Sequence, residues 1–298
     1  MMKKICLILF VMCSSNALFA QGASTSSSQL KIPLDARSAA LSEANVADAG
    51  QVSSCLLNPS NLYTRGSLTV ALTHVQWFQD IQSEFLAAQI PMSLGTIGIA
   101  VSTNSVPGIE VRDIPGPAIG TFSARFATLQ VGFAGEVIQS VSFGLSAKYL
   151  YEKLYTDDAK GFGVDVGMVY HTPIAGLQAA VSVTNAGSLE QFRRERSDLP
   201  TFFRGGATYT FSLDDLAFAA SAALSNNLQY TENHLLGSLE TTYNDRVSVR
   251  VGYASGYDSR GLTAGLGIRY EFLQLNYAFV PFSLGLGDAH LFSLGFQF

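Results

Sequence analysis

The feature that most constrains this chain is a strict alternation of apolar and polar side chains along much of its length. In residues 247–253, the odd positions are Val, Val, Val and Tyr, and the even positions are Ser, Arg and Gly. The same pattern occurs in residues 141–153, 161–171 and 261–270. Because successive side chains of a β-strand point to opposite faces, each stretch predicts a strand with one apolar and one polar wall.

Charged residues within these stretches indicate which wall would face a membrane. A Lys or Arg that faced hydrocarbon at mid-membrane would cost about 2–4 kcal/mol, whereas inside a barrel it can pair with other charges and with water. Alternation alone fits a soluble β-sandwich equally well, with the apolar wall buried. If the chain forms a barrel, four residues on the polar walls are predicted to form a charge network in its lumen: Lys148, Asp165, Arg250 and Arg269.

Composition narrows the class of protein further. Charged residues make up 14% of the chain, well below the ~25% of ordinary soluble domains, and the mean hydropathy is positive. Beyond residue 20, no stretch is continuously apolar for the ~18 residues that indicate a spanning helix. The formal net charge of −5 argues against a nucleic-acid partner. A membrane β-barrel or a very apolar exported β-protein is therefore expected.

Both ends of the chain carry patterns of an exported barrel. A short basic start precedes an apolar run over residues 5–12, and cleavage is expected after Ala20, so residues 1–20 are predicted to be a signal peptide. At the other end, residues 290–298 place four apolar side chains on one face and finish at Phe298. This ending is typical of the last strand of an outer-membrane barrel.

Fourteen alternating stretches occur within residues 66–298, and bacterial single-chain barrels require an even number. Short turns alternate with longer loops, of which 103–122 and 185–200 are the longest. Short periplasmic turns and long external loops would give this rhythm, with both chain ends in the periplasm. We therefore predict an all-β fold, a transmembrane antiparallel β-barrel of about fourteen strands. The predicted strands are 67–77, 81–90, 96–102, 123–136, 141–153, 161–171, 177–184, 201–211, 216–224, 232–243, 247–253, 261–270, 273–280 and 289–298.

Residues 21–65 lack the alternating pattern. They begin with a run of Ser and Thr, continue with an Ala-rich stretch, and end with a motif rich in Asn. Cys55, Leu56 and Leu57 need burial, which favours a plug inside the barrel over a free tail in the periplasm. Cys55 is the only cysteine outside the predicted signal peptide, so no intramolecular disulfide is expected.

Several short motifs resemble, in the same order, motifs of the PorV/PorQ family of outer-membrane proteins, itself related to the FadL-type fatty-acid channels. Residues 36–41, Ala-Arg-Ser-Ala-Ala-Leu, are similar to an early element of that family. Residues 58–62, Asn-Pro-Ser-Asn-Leu, are similar to its Asn-Pro-Ala-Gly-Leu hallmark. The resemblance runs from about Ile32 to the C-terminus. Further matching segments are 77–81, 108–113, 120–125, 276–279 and 287–290.

Two departures from the family pattern lie before the first strand. Asn61 stands where the hallmark has glycine, and asparagine is the residue that best tolerates a left-handed backbone after glycine, so the turn is expected to survive. Ser42 and Glu43 stand where the family usually has two glycines, which leaves the local path of the chain open.

The resemblance implies a FadL-like barrel with an N-terminal plug over residues 21–65. The turn of this plug would comprise Asn58, Pro59 and Asn61. Members of the family are associated with the type IX secretion system, in which such a barrel receives cargo through a C-terminal sorting domain. A charged external loop is the first candidate for cargo contact, and its residues are Glu190, Arg193, Arg194 and Arg196. The alternative is a solvated charged loop without a partner.

Two classes of function follow from the resemblance. The first is protein secretion or surface anchoring of cargo; the second is passage of a hydrophobic small molecule, which needs an apolar pocket above the plug. Outer-membrane lipid, cargo with a sorting domain and an apolar ligand are the expected partners, and the outer membrane is the expected location. No cofactor is expected. Catalysis has little support, because the four histidines are scattered without the spacing of paired ligands.

Overall fold

The computed structural model describes residues 27–49, 51–112, 114–192, 195–229 and 232–298. The predicted signal peptide lies outside these ranges. Arg193 and Arg194 of the predicted contact loop also lie outside them.

Within the described residues, fourteen antiparallel strands close into a barrel, which confirms the predicted fold class. Together with the short strand β8, the strands are β1 (Thr69–Gln76), β2 (Gln82–Met92), β3 (Gly95–Val111), β4 (Gly120–Ile138), β5 (Val141–Leu154), β6 (Asp157–His171), β7 (Leu177–Phe192), β8 (Glu195–Asp198), β9 (Phe202–Leu213), β10 (Leu216–Asn227), β11 (Glu232–Tyr243), β12 (Val247–Ala254), β13 (Leu262–Tyr270), β14 (Leu273–Phe282) and β15 (Gly287–Gln297). Pairing of β1 with β15 joins the two ends of the wall. The short strand β8 pairs with β7 beyond the residues that pair with β9, so it extends the line of β9 and does not add a fifteenth strand to the circumference.

Each of the fourteen predicted strands is present, but the two longest predicted loops are wrong over most of their length. Strand β3 continues to Val111 and β4 begins at Gly120, so most of the predicted loop 103–122 is strand. Strand β7 likewise continues into the predicted loop 185–200. A register shift between Val106 and Ile109 interrupts the alternation in β3, which hides the strand from a period-2 pattern.

These extensions make one side of the barrel wall taller than the other. Gln82, the first residue of β2, pairs with Ser105 of β3, and β3 then continues for six further residues to Val111. At a rise of about 3.3 Å per residue, these six residues add about 20 Å to the height of the wall along the strand direction. The tall side comprises β3 to β7, whereas β1 and β12 have only eight residues each.

The wall has its apolar face outside, which decides between the membrane barrel and the soluble sandwich. In β12, Val249 is exposed and Arg250 is buried, and this alternation holds along the whole strand. Strand β15 follows the same rule, because Phe292 is exposed and Ser293 is buried. A soluble sandwich would bury the apolar face instead. An outward apolar band about 25 Å tall is typical of membrane barrels.

Residues 27–49 and 51–65, together called the N-terminal segment, form short helical turns. They comprise three 3₁₀ helices and one α-helix, α1: Ser28–Lys31, Ala36–Ala40 (α1), Ser53–Leu56 and Pro59–Leu62. Asp35 caps α1, because its carboxylate accepts a hydrogen bond from the backbone nitrogen of Ser38 at 2.8 Å. No helix in the described ranges is long and apolar enough to cross a membrane.

The N-terminal segment lies inside the barrel and contacts inward-facing side chains on opposite sides of the wall. The backbone nitrogen of Ala36 donates to Ser293 Oγ of β15 at 3.0 Å. Ser182 Oγ of β7 donates to the carbonyl oxygen of Leu57 at 2.7 Å. Apolar packing accompanies these hydrogen bonds, since the alanines of α1 pack against buried residues of β1, β14 and β15: Val75, Ala278, Val280, Ala289 and Leu291.

Glycines on the inward face provide the space that the N-terminal segment occupies. A Cβ atom at Gly144 of β5 would overlap the backbone of Pro59 and Ser60. A Cβ atom at Gly252 of β12 would overlap the backbone at Leu41. The many glycines on the polar wall therefore permit close approach between wall and segment.

We expect Gly144→Val to loosen the N-terminal segment, because the new side chain collides with backbone atoms that cannot rotate away. Overpacking of this kind typically costs about 1–3 kcal/mol. Hydrogen–deuterium exchange measured by mass spectrometry should show faster exchange at residues 53–65 in the variant. Gly237→Val is the matched control, because a Cβ at Gly237 meets no atom within 4 Å. Equal exchange in both variants would contradict this account.

Candidate functional site

Asp165 of β6 is the centre of one polar cluster in the lumen. Its carboxylate Oδ1 accepts from Lys148 Nζ at 3.0 Å and from the backbone nitrogen of Asn185 at 2.7 Å. Its Oδ2 accepts from Ser146 Oγ at 2.6 Å and from Gln130 Nε2 at 3.0 Å. Four donors, one of them charged, offset the free-energy cost of burying this carboxylate.

A β-bulge in β7 supplies one of these donors. The register between β6 and β7 shifts at Asp165, where Thr184 and Asn185 of β7 stand opposite one residue of β6. Asn185 has a φ of 60°, in the left-handed region that asparagine tolerates better than most residues. Its side-chain oxygen also accepts from Lys148 Nζ. Sequence reasoning missed Asn185, although its place before Ala-Gly within an apolar stretch is a signal of a bulge.

Glu240 of β11 bridges two arginines in a second cluster. Arg37 Nη2, from the N-terminal segment, lies 2.6 Å from Glu240 Oε2, and Arg250 Nε lies 2.6 Å from Oε1. Arg37 also pairs with Asp48, and Arg250 Nη1 donates to Asn276 Oδ1 at 2.9 Å. These ion pairs connect the N-terminal segment directly to the wall.

The four residues predicted as one lumenal charge network do not form a single network. Lys148 and Asp165 pair with each other, whereas Arg250 belongs to the cluster around Glu240. Arg269 is exposed near the end of β13 and forms no ion pair within the described ranges. It lies on the inward-facing side of its strand, but at a level where the lumen already opens to solvent.

The predicted plug turn is fully buried against the wall. Asn58 Oδ1 accepts from the backbone nitrogen of Ser60 at 3.0 Å, and Pro59 begins the 3₁₀ helix that follows. The left-handed backbone considered for Asn61 is wrong, because Asn61 lies inside that helix. Its side-chain Nδ2 instead donates to the carbonyl oxygens of Val46 and Ser54, which ties the turn to the rest of the N-terminal segment.

The left-handed backbone occurs instead at Ser42 and Glu43, the two positions where glycines were expected. Their φ angles are 50° and 61°, and such a conformation costs roughly 1–2 kcal/mol for each residue with a Cβ atom. It places the Glu43 carboxylate 3.0 Å from Arg260 Nη2, between the end of β12 and the start of β13. Glu43 thus gains an ion pair that glycine could not make.

A cavity of about 60 Å³ lies between the N-terminal segment and the wall. This volume is sufficient for a few water molecules. Its apolar lining is formed by Leu30, Ile32, Leu34 and Leu56 of the segment with Phe85 and Ala100 of the wall. Its polar lining includes Asp35, Glu43, Gln130, Lys148, Asn185 and Arg204.

Arg204 of β9 lines this cavity and was not identified from the sequence. It is buried, with 7% of its surface exposed, and its Nη1 donates to Thr184 Oγ1 at 2.8 Å. Its guanidinium also lies over the Phe202 ring, 4.6 Å from the centroid. Two adjacent glycines, Gly205 and Gly206, weaken the alternation around it, and this explains why the pattern did not single it out.

Two of the predicted cargo-contact residues, Glu190 and Arg196, lie at the barrel end opposite the C-terminus of β15. Glu190 is exposed near the end of β7, and Arg196 belongs to β8. With Arg193 and Arg194 outside the described ranges, cargo contact at this position stays a prediction.

Cys55 is buried in the N-terminal segment, and burial raises the pKa of its thiol to about 12. The thiol is therefore neutral at physiological pH, and a neutral thiol is a poor nucleophile. In the part of the chain that the structure describes, no group of three or more His, Cys, Asp or Glu residues could hold a metal ion.

Comparison with known proteins identifies similar folds but no similar sequence family. No protein-family model and no curated protein matches the chain. The structure of the Pseudomonas putida toluene transporter TodX is similar with a TM-score of 0.58 and 10% identity, over 83% of this chain and 94% of TodX. The CymD monoaromatic hydrocarbon channel is similar with a TM-score of 0.61 and 12% identity, over 89% of this chain and 97% of CymD. At such low identity these likenesses show a shared fold, a closed antiparallel β-barrel similar to outer-membrane barrels.

We expect Asp165→Ala to lower the free energy of unfolding by about 3–5 kcal/mol, because Lys148 is then buried without a carboxylate. The double variant Lys148→Met/Asp165→Leu should lose less, since both charges leave together. Urea unfolding in detergent micelles, followed by circular dichroism, measures both. Asp158→Ala is the control, because Asp158 is exposed on the same strand. A double variant as unstable as the single one would show that the ion pair is not the cause.

Proposed function

We propose that the protein is an outer-membrane channel for hydrophobic small molecules, and that its N-terminal segment is the plug. The observation that carries this proposal is the cavity between the segment and the wall. Leucine and isoleucine side chains of the segment line one side of it, and polar side chains that include Gln130, Lys148 and Arg204 line the other. An apolar surface with a few polar groups is typical of binding sites for small molecules. At about 60 Å³ the cavity admits such a molecule only after the segment moves away from the wall.

Likeness of fold supports this proposal. The two structures compared above are described as a toluene transporter and a monoaromatic hydrocarbon channel. Both have nearly their whole length matched by this chain. Their low identity leaves the ligand of this protein to be inferred from its own cavity.

A small molecule can pass through the lumen only if the N-terminal segment moves, because the segment contacts the wall on opposite sides. The ion pairs of Arg37 with Asp48 and Glu240 hold one part of the segment, and the pair between Glu43 and Arg260 holds another. We propose that both chain ends lie in the periplasm, so that Arg260 lies near the external end and Arg269 near the periplasmic end.

Filling the cavity tests the proposal. Ala100 is inward-facing and lines the cavity, so Ala100→Phe should occupy the space and abolish binding of an apolar ligand. The probe is para-fluorotoluene, followed by fluorine NMR of protein in detergent micelles, with empty micelles as the blank. Ala147→Phe is the control, because Ala147 is exposed on the outer face of β5. Absence of a protein-bound signal in the unsubstituted protein would overturn the proposal.

Secretion or surface anchoring of cargo, as in PorV/PorQ proteins, is the second candidate function. It is supported by the ordered motifs and by the tall side of the wall, which carries β8 and offers a surface beyond the membrane. Native mass spectrometry of protein extracted gently from its own outer membrane tests this candidate. A co-purifying secreted protein, bound through its C-terminal domain, would favour it; a retained apolar molecule alone would favour the channel.

A further inference from the structure

The outward apolar stretch of the wall is short on the strands next to the closure of the barrel. On β3 the outward residues are apolar from Ile97 to Val101, about 13 Å along the strand, and Thr103 follows. On β6 they are apolar from Phe162 to Tyr170, about 26 Å along the strand. A membrane protein whose apolar stretch is too short is accommodated by thinning of the bilayer or by oligomerisation.

His74 and Glu84 form an exposed polar pair where this short stretch ends on β1 and β2. They are cross-strand partners, and Nδ1 of His74 donates to Oε1 of Glu84 at 2.7 Å. The second nitrogen of the imidazole and the second oxygen of the carboxylate have no partner among the described residues. Because a charge on the lipid-facing side of a barrel costs more the deeper it lies, this pair gains from further polar partners.

A groove of about 440 Å³ lies on the outer face of the wall beside this pair. Most of its lining is formed by apolar, outward-facing side chains: Leu72, Leu86, Val101, Phe292 and Leu294. Phe292 stands at one edge of the groove, with 52% of its surface exposed. The same face of the barrel therefore carries both a groove and a projecting aromatic ring.

Two copies of the chain can bring these features together. Copies in one membrane have the same orientation, so a twofold axis parallel to the barrel axis relates them when their β1–β2 faces meet. The axis passes between β1 and β2, which places His74 of each copy opposite Glu84 of the other. Because the strands of such barrels tilt by about 35–45°, Phe292 of each copy faces the groove of the other beside Leu86.

We propose that the outer faces of β15, β1, β2 and β3 form the interface of a dimer, in which Phe292 of a second copy of this chain fills the groove. His74 and Glu84 of the two copies alternate around the axis, and an imidazolium donates from both of its nitrogens, so each can bridge two carboxylates. Charge complementarity favours a second copy over a lipid acyl chain, since an acyl chain supplies no polar partner. The interface lies outside the wall and is independent of what passes through the lumen.

Photo-cross-linking in the native outer membrane identifies what covers this face. The photoreactive residue para-benzoylphenylalanine replaces Leu294, which lines the groove and is 39% exposed, and mass spectrometry identifies the adduct formed on illumination. We expect an adduct with a second copy of this chain. The control replaces Leu224, which is 38% exposed on β10, on the far side of the barrel, and should give lipid adducts alone. Lipid adducts alone at position 294, or an adduct with another protein, would overturn the proposal.

An exchange of charges tests the contact between the copies. His74→Glu leaves only carboxylates at this point of the interface and Glu84→Lys leaves none, so each variant should associate poorly with itself. When the two variants are produced together with different affinity tags, the carboxylates of one face the basic side chains of the other. We therefore expect the unlike variants to co-purify as well as two tagged copies of the unsubstituted protein. Asp158→Lys, an exposed change on β6, is the control and should leave self-association unchanged.

The mixture separates a contact between copies from a contact within one chain. If each variant loses self-association and the mixture does not recover it, the pair acts within one chain and the proposal fails. If both variants associate as well as the unsubstituted protein, His74 and Glu84 do not belong to an interface, and the proposal fails as well.

Truncation of Phe292 tests the groove. Phe292→Ala should raise the Kd of self-association about 10- to 100-fold, the size expected for an aromatic residue at the centre of an interface, as measured by sedimentation equilibrium in density-matched micelles. Phe203→Ala is the matched control, because Phe203 is exposed on the outer face of β9. If the charge variants do not fold, as judged by circular dichroism, the photo-cross-link and this pair of variants still decide. An unchanged Kd for Phe292→Ala would overturn the proposal.

Discussion

Charged side chains that face the lumen of a barrel need partners, and this requirement joins the wall to the N-terminal segment. Arg37 of the segment and Arg250 of the wall share the carboxylate of Glu240, and Asp48 of the segment completes the cluster. Glu240 and Arg250 form a neutral pair on the wall, and Arg37 and Asp48 of the segment add one charge of each sign, so the four charges together remain balanced. Ion pairs and glycine-lined close contacts therefore act together: the glycines permit the approach, and the charges specify where the segment lies.

The fold could be predicted because its main constraint acts on every second residue. Lipid on one face and a polar lumen on the other force the alternation that β12 and β15 both show. The number of strands therefore follows from the alternating stretches, and the face that each strand turns to the lumen follows from the position of its charged residues. The upper part of β3 could not be predicted in the same way. Beyond the membrane both faces of a strand meet water, and the register shift after Val106 also interrupts the period.

The candidate site was predictable only in part, because its key residues depend on three-dimensional contacts. Lys148 and Asp165 were found, since a charge within an apolar stretch is visible in the sequence. Arg204 was missed because glycines weaken the alternation beside it, and the role of Asn185 depends on a bulge opposite Asp165. The departure from glycine at Glu43 had a reason that no pattern reveals, namely an ion pair with Arg260 more than two hundred residues later in the chain.

The unequal length of the strands makes the rim of the barrel uneven at the end opposite the C-terminus. Strands β3 and β4 extend far past the level at which β1 turns into β2, so about a third of the circumference stands higher than the rest. Approach to the mouth is therefore directional: from the side of β3 to β7 a molecule meets a continuous sheet, and over the β1–β2 turn it meets almost none. The lumen that holds the N-terminal segment is therefore least screened on the side of β1 and β2.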